Sequence, residues 1–301
     1  MKIGIIEAGS TNTKCYIVDD LVPTLINVRG IGFKDNYIQD GHIRESDIAK
    51  LSDCVKGLMS QTESVHIFGT SIFRQADIEE IDNLRSILKK LGNVSFEVVT
   101  AEMEGEYTAF GAMTNIIFDG PVAIMVGGGG STELFVYQDN KILAKALSPI
   151  GVGDVNKAYP DLFADIASTE PIEIIDWISK RLMPISQKAE LLVLAGGDFP
   201  LLYKNVGYNL RSNIYSDDPE KPYMLSNVDK LNQDKKYFFD ISINKLRSIT
   251  PDNPGWWDGT RAMCCFVSAV AQQLQAKTLI PTRISMIYGM IHHIQNSKIS
   301  T

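Results

Sequence analysis

Cysteine and histidine are scarce in this sequence, with four residues of each in a chain of 301. The histidines show no HExxH-like spacing and the cysteines do not have zinc-ligand spacing, so we expect no zinc site. A chain of this length can bury a core without disulfide bonds. We therefore expect reduced, mostly buried thiols at Cys15, Cys54, Cys264 and Cys265.

Long apolar runs are also missing. No segment approaches the ~18 consecutive apolar residues that span a bilayer. Glu7 interrupts the first apolar segment before it reaches the length of a signal-peptide core. We therefore expect no membrane association and a cytoplasmic location.

Positive charge is in deficit, because 29 lysines and arginines stand against 36 aspartates and glutamates, for a net charge of −7. Such a surface repels polyanions at long range, which argues against a nucleic-acid binding protein. A site for a small anionic substrate would have to be a local exception to this field.

The remaining composition is that of a folded α/β protein. Apolar residues make up 45% of the chain and charged residues 22%, which is ordinary for a globular protein and excludes global disorder. The length predicts two domains. Glycine has one unusual feature, since four of the 23 glycines stand together at Gly127–Gly130.

Two β-hairpins with similar tips are predicted. Apolar segments 3–6 and 14–18 flank a turn that contains Gly9-Ser10-Thr11, and segments 121–126 and 133–137 flank a turn that contains Gly130-Ser131-Thr132. This imperfect two-copy repeat predicts two similar α/β lobes joined near residue 120. Helical periodicity adds helices at 46–60, 77–91, 102–115, 170–182, 258–276 and 285–295, and buried strands are predicted at 64–68, 94–99 and 190–195.

The hairpin tips are candidate phosphate-binding loops. Glycine lets backbone N–H groups approach a phosphate without a Cβ in the way, and hydroxyl groups add further donors. No Gly-Lys-Ser/Thr follows the glycines, so this is no Walker loop, and a hairpin turn is not a Rossmann strand-to-helix turn. The candidate phosphate-binding residues are Gly9, Ser10, Thr11, Gly128, Gly129, Gly130, Ser131, Thr132, Gly196 and Gly197.

The order of these motifs resembles the exopolyphosphatase and guanosine-pentaphosphate phosphohydrolase family, which belongs to the superfamily of actin, heat-shock chaperones and sugar kinases. The resemblance runs over most of the chain. It rests on Glu7-Ala8-Gly9-Ser10, Gly69-Thr70-Ser71-Ile72-Phe73-Arg74-Gln75-Ala76, Thr100-Ala101-Glu102-Met103-Glu104-Gly105-Glu106, Gly128-Gly129-Gly130-Ser131-Thr132-Glu133, Ser148-Pro149-Ile150-Gly151 and Ala195-Gly196-Gly197.

The resemblance implies an α/β fold of two actin/ribonuclease-H-like lobes with a cleft between them. The first lobe would comprise residues 1–120 with the C-terminal helix at about 283–301, and the second lobe residues 121–282. The substrate would be inorganic polyphosphate or a guanosine polyphosphate, and the protein would be a hydrolase that removes the terminal phosphate. A homodimer is a possible assembly.

The resemblance also implies roles for individual residues. Glu104 is the first candidate for the base that positions or deprotonates the attacking water, and Glu102 is the second. Arg74 would bind a phosphate oxygen, and Mg²⁺ would neutralise phosphate charge. Glu133 would face the metal or the water.

Three positions depart from the family pattern. Glu7 stands where the family has aspartate, Val126 replaces an aspartate of the second motif, and Glu106 replaces an arginine. Valine cannot hold a metal-bound water, so metal binding would fall to Glu7 and Glu133. This departure keeps a second reading open, a phosphate- or alarmone-binding protein with little catalysis. A small-molecule kinase of the same superfamily is a third.

Overall fold

A computed structural model describes residues 2–9, 12–139, 141–195, 211–218, 220, 222–251, 254–282 and 286–299. The chain divides into two compact units, of which unit 1 comprises Met1–Tyr107 and Ile287–Thr301 and unit 2 comprises Thr108–Met286. Across the described ranges, no helix combines the length and the apolar content that crossing a membrane requires. The domain boundaries inferred from the sequence stay a prediction.

Unit 1 is built on a five-stranded sheet with the strand order β3-β2-β1-β4-β5. The first three strands are antiparallel neighbours, and β4 and β5 continue the sheet in parallel with β1. All of β1 except Glu7 is buried, as expected for a central strand. The strands are β1 Ile3–Ala8, β2 Asn12–Asp19, β3 Val22–Gly30, β4 Val65–Gly69 and β5 Val94–Val98.

Helices cover the sheet of unit 1. The central helix α2 buries Leu51, Val55 and Leu58, which recur at the spacing of one helix face. A 3₁₀ turn at Ser71–Arg74 follows β4 directly. The helices are α1 Phe33–Asp40, α2 Glu45–Met59, α3 Ile78–Lys89 and α4 Ala101–Met113, the last of which ends in unit 2.

Unit 2 repeats this topology. In its six-stranded sheet, the order β8-β7-β6-β9-β13 has the same antiparallel and parallel pairings as β3-β2-β1-β4-β5, and β12 adds an antiparallel edge. The strands are β6 Val122–Gly127, β7 Thr132–Gln138, β8 Lys141–Ser148, β9 Leu191–Ala195, β12 Ser226–Asn227 and β13 Thr278–Pro281, with a separate pair β10 Arg211–Ser212 and β11 Tyr223–Met224.

The helices of unit 2 pack around α9, which is rich in alanine, valine and cysteine and is buried on nearly all sides. The thiols of Cys264 and Cys265 lie in this core. The helices are α5 Val152–Ala158, α6 Pro171–Ser179, α7 Val228–Asp240, α8 Ile243–Arg247 and α9 Thr260–Leu274, with 3₁₀ turns at Pro160–Phe163 and Pro254–Gly259. The last helix of the chain, α10 Ile287–Ile299, belongs to unit 1.

The structure confirms the α/β class, both hairpins and the expectation that the cysteines are buried. It adds elements that the sequence pattern does not indicate, among them β3 and α5. Strand β3 exposes Val22, Leu25 and Ile26, so it lacks the alternation of a half-buried strand. Helix α5 has only seven residues, too few for a clear period. The predicted helix 258–276 begins later, at Thr260, after a 3₁₀ turn.

Arg261 of α9 holds the helical layer of unit 2 together. Its side chain is 1% exposed and donates hydrogen bonds of 2.8–2.9 Å to five backbone carbonyl groups. A fixed planar fork of donors suits this task, which a lysine would not match. The acceptors are the carbonyl oxygens of Leu162, Ala164, Asp165, Phe238 and Ile241.

We predict that Arg261→Met lowers the free energy of unfolding by at least about 3 kcal/mol. Each buried carbonyl that loses its partner costs roughly 1–3 kcal/mol. The matched control is Arg247→Met, because Arg247 pairs with Asp258 where both side chains are about one third exposed, and such pairs contribute about 0–1 kcal/mol. Denaturant unfolding of both variants checks this, and equal losses would contradict it.

Candidate functional site

The first hairpin tip connects β1 to β2. The N–H of Gly9 donates to the carbonyl oxygen of Asn12 at 3.0 Å. A Cβ on Gly9 would lie 2.8 Å from that oxygen, so the turn requires glycine here. The predicted phosphate donor N–H of Gly9 is therefore already engaged in the turn. Ser10 and Thr11 lie outside the described residues.

Glu7 lies at the end of β1, opposite Lys14 of β2. Its Oε1 accepts from Lys14 Nζ at 3.0 Å, and its side chain is only 16% exposed. Its Oε2 is buried and has no hydrogen-bond partner in the part of the chain that the structure describes. A buried carboxylate oxygen without a partner is costly, so this atom is available for a ligand.

Arg74 and Glu104 form an ion pair in unit 1. Arg74 ends the 3₁₀ turn after β4, and Glu104 lies in the first turn of α4, where the Thr100 hydroxyl accepts from the N–H of Met103. Arg74 Nη1 donates to Glu104 Oε2 at 2.8 Å and to the carbonyl of Val99 at 2.9 Å. The structure thus brings together two residues that are predicted to act at the site.

The other donors of Arg74 remain available. Within the described ranges, its Nε and Nη2 donate to no protein acceptor, and the side chain is 30% exposed. Arginine binds phosphate through such paired donors. The second candidate base, Glu102, lies exposed in the first turn of α4, before the half-buried Glu104.

The second loop, between β6 and β7, contains Gly128–Ser131. The N–H of Gly128 donates to the carbonyl of Ser131 at 3.0 Å, which closes the turn. Gly128, Gly129 and Gly130 are exposed. In the described part of the chain, the N–H groups of Gly129, Gly130 and Ser131 have no protein acceptor. Three consecutive free N–H groups in an exposed loop are donors that suit an anion.

The start of α5 holds this loop in place. The N–H of Val152 donates to Gly128 O at 3.0 Å, and the N–H of Gly153 donates to Gly129 O at 2.7 Å. A Cβ on Gly151 would lie 2.5 Å from three backbone atoms of the loop, and a Cβ on Gly153 would lie 2.7 Å from Gly129 O. The sequence analysis missed this role of Gly151 and Gly153, although two glycines in Gly151-Val152-Gly153 after a motif are a signal of close backbone approach.

Thr132 and Glu133 begin β7 and are buried, at 1% and 9% exposure. The Thr132 hydroxyl donates to the carbonyl of Ile150 at 2.9 Å, so its one proton is used within the fold. Glu133 lies opposite Val126 in the register of β6 and β7. The predicted phosphate residues Gly196 and Gly197 lie outside the described residues.

Carboxylates are the candidate ligands for the predicted Mg²⁺. Among the described residues, no group of three or more histidine, cysteine, aspartate or glutamate side chains could hold a metal ion. Mg²⁺ often binds through one or two carboxylates together with substrate phosphates and water. The unpartnered Oε2 of Glu7 fits that mode, so the donor set suits a metal that arrives with the substrate.

Comparison with known proteins identifies the class. The model of the Ppx/GppA phosphatase family matches residues 29–197. A search of curated protein sequences finds no match. Among solved structures, the type II variant of the Aquifex aeolicus Ppx/GppA phosphatase is similar with a TM-score of 0.73 at 18% identity, over 97% of this chain and 98% of that one.

An exopolyphosphatase from Cytophaga hutchinsonii is similar with a TM-score of 0.72 at 18% identity, over 99% of this chain and 98% of that one. These likenesses show a shared fold, α/β with two actin-like lobes. The chain belongs to the Ppx/GppA phosphatase family, because the family model covers more than half of it. The resemblance inferred from the motifs is thereby confirmed, and the family supports a phosphatase-type function.

We predict that Gly151→Ala destabilises the protein by about 1–3 kcal/mol, the usual cost of overpacking, because its Cβ meets backbone that cannot rotate away. The matched control is Gly129→Ala in the loop itself, where no atom lies within 4 Å of the added Cβ. We expect that variant to stay within ~0.5 kcal/mol of the parent. Denaturant unfolding measures both, and a similar loss in the control would contradict the prediction.

Proposed function

We propose that this protein hydrolyses the terminal phosphoanhydride bond of inorganic polyphosphate or of a guanosine polyphosphate. The observation that carries the proposal is the row of N–H groups at Gly129, Gly130 and Ser131, which meet no acceptor among the described residues. A protein with a net charge of −7 needs such a local set of donors to bind a polyanion. Membership in a phosphatase family supports the same reaction class.

Arg74 would serve as the side-chain anchor for phosphate. Its free Nε and Nη2 would donate to a phosphate oxygen while Nη1 keeps its bonds to Glu104 and Val99. Phosphoryl transfer spreads negative charge over the phosphate oxygens, so donors already in place stabilise the transition state without reorganising.

Glu104 would position the attacking water and accept its proton. The guanidinium of Arg74 orients the carboxylate, and the backbone N–H of Glu104 is fixed by its bond to the carbonyl of Thr100. Orientation of this kind is what a general base requires before its basicity matters. When Mg²⁺ is bound, it supplies positive charge that neutralises the phosphate oxygens. Glu7 is the residue of unit 1 that we propose to hold it, through the Oε2 that has no hydrogen-bond partner among the described residues.

A phosphate-binding protein with little catalysis is the second candidate. Val126 occupies the position where the family resemblance implies an aspartate, and it lies directly opposite Glu133 in the β6–β7 ladder. The described residues also contain no preformed cluster of three or more metal-ligating side chains. Both observations fit a protein that keeps the phosphate-binding loop and lacks metal ligands that hydrolysis would use.

We predict that Glu104→Gln reduces phosphate release from polyphosphate about 10²–10⁴-fold, the usual contribution of a general base. Binding of the polymer should change little, because glutamine keeps the size of the side chain. The assay is phosphate release in the presence of Mg²⁺, run beside calorimetric binding. The control is Glu79→Gln, an acid in the first turn of α3. Binding without turnover in the parent protein would favour the second candidate.

We predict that Arg74→Lys weakens polyphosphate binding at least about tenfold, because a lysine lacks the paired donors of a guanidinium. The control is Arg85→Lys, because Arg85 pairs with Asp82 where both side chains are exposed. Titration calorimetry of both variants checks the prediction. Unchanged affinity in Arg74→Lys would exclude Arg74 as a phosphate ligand.

A further inference from the structure

Two of the four cysteines lie together in unit 1. Cys15 comes from β2 and Cys54 from α2, and both belong to the core that α2 forms against the sheet. The two side chains are neighbours in this core, and each thiol has the largest single effect on the pKa of the other. They are distant in sequence, so only the packing of α2 on β2 brings them together. A pair of thiols in contact has the arrangement from which a disulfide forms without large movement.

Arg29 gives this pair a positive neighbour. On β3 it lies opposite Thr13, and Asn27 lies opposite Cys15, so the Arg29 side chain is on the same sheet face as Cys15. Its Nη1 donates to the carbonyl of Lys50 at 3.3 Å and lies 3.9 Å from Asp53 Oδ2. This places the guanidinium beside the turn of α2 that carries Cys54.

The two thiols differ in character. The neighbouring Cys15 thiol and the guanidinium of Arg29 lower the pKa of Cys54, against the opposing effects of burial and Asp53. The same contact with Cys54, together with burial, raises the pKa of Cys15. Cys54 is 8% exposed and Cys15 only 3%. Cys54 is therefore the more acidic and the more exposed of the two thiols, and a small oxidant reaches it before it reaches Cys15.

We propose that Cys15 and Cys54 form a redox-modification site that peroxide converts into an intramolecular disulfide. In the first step the Cys54 thiolate attacks a peroxide oxygen; the S–O bond forms, the O–O bond breaks and hydroxide leaves. In the second step the Cys15 sulfur displaces hydroxide from the sulfenic acid, and its proton leaves with that hydroxide as water. The two thiols lose two electrons, which the peroxide accepts.

The chain contains its own control pair. Cys264 and Cys265 are adjacent on α9 and are 1% and 0% exposed. Burial raises the pKa of Cys264, and it raises that of Cys265 to about 12. Neither has a thiolate at neutral pH, so the mechanism predicts that both resist the same oxidant.

Peptide mapping tests the proposal on the full-length protein. Trypsin releases Cys15 in the peptide 15–29, Cys54 in 51–56 and the control pair together in 262–277. After treatment of the native protein with hydrogen peroxide and alkylation of remaining thiols, we expect 15–29 linked to 51–56 and two hydrogens lighter, with 262–277 alkylated. A reductant should separate the linked peptides.

Two further variants assign the steps. In Cys15→Ala, we expect dimedone to trap a sulfenic acid on Cys54, because the resolving thiol is gone. In the parent protein at pH 7, we expect iodoacetamide to label Cys54 at least about tenfold faster than Cys264 or Cys265, and Arg29→Gln should slow this labelling. Circular dichroism shows whether each variant is folded, and the mapping of the parent protein decides even if a variant does not fold.

The proposal is overturned if native protein treated with peroxide gives no linked peptide. It is equally overturned if 262–277 is oxidised as fast as 51–56, or if iodoacetamide labels all four cysteines at one rate.

Discussion

The close contact between two glycine-containing backbone segments is the constraint that fixes the conformation of the loop in unit 2. Gly151 and Gly153 lie so close to Gly128–Gly130 that a Cβ at either position would overlap main-chain atoms. The contact is also polar, since the N–H groups of Val152 and Gly153 donate to the loop carbonyls. These bonds engage the carbonyl groups of the loop, while the N–H groups of Gly129, Gly130 and Ser131 have no acceptor in the part of the chain that the structure describes. The position of the backbone at the start of α5 therefore decides which atoms of the loop between β6 and β7 can bind a ligand.

The same division between engaged and free groups recurs in unit 1. Arg74 Nη1 binds Glu104 and Val99 and so fixes the side chain, while Nε and Nη2 have no acceptor among the described residues. One oxygen of Glu7 accepts a hydrogen bond from Lys14, and the other is buried with no partner among the residues that the structure describes. In each side chain, some of the polar atoms form hydrogen bonds that fix its position, and the remaining polar atoms are available to a ligand. Groups of this kind are pre-positioned for a ligand and need little rearrangement on binding.

Repetition of one sheet topology explains why the two hairpins share a sequence pattern. In both sheets an antiparallel hairpin continues into two parallel strands, and the Gly-Ser/Thr tip lies between its first two strands. The two turns are also closed in the same way. The N–H of Gly9 donates to the carbonyl of Asn12, and the N–H of Gly128 donates to the carbonyl of Ser131, in each case three residues further on. Among the described residues, the N–H groups of Gly129 and Gly130 inside the second turn meet no protein acceptor.

The local sequence determined many of the helices and strands and the residue types in the loops. Apolar alternation and turn residues predicted both hairpins, helical periodicity predicted α2, α3 and α9, and the order of motifs indicated the family. The sequence pattern did not predict the exposed strand β3 or the seven-residue helix α5, because neither has a clear hydrophobic periodicity. Tertiary structure alone decided that the Thr132 hydroxyl donates a hydrogen bond to the carbonyl of Ile150, that Arg74 pairs with Glu104, that Gly151 packs against the loop, and that Cys15 lies beside Cys54. These contacts join residues far apart along the chain, and periodicity within one segment contains no information about which partner another segment brings.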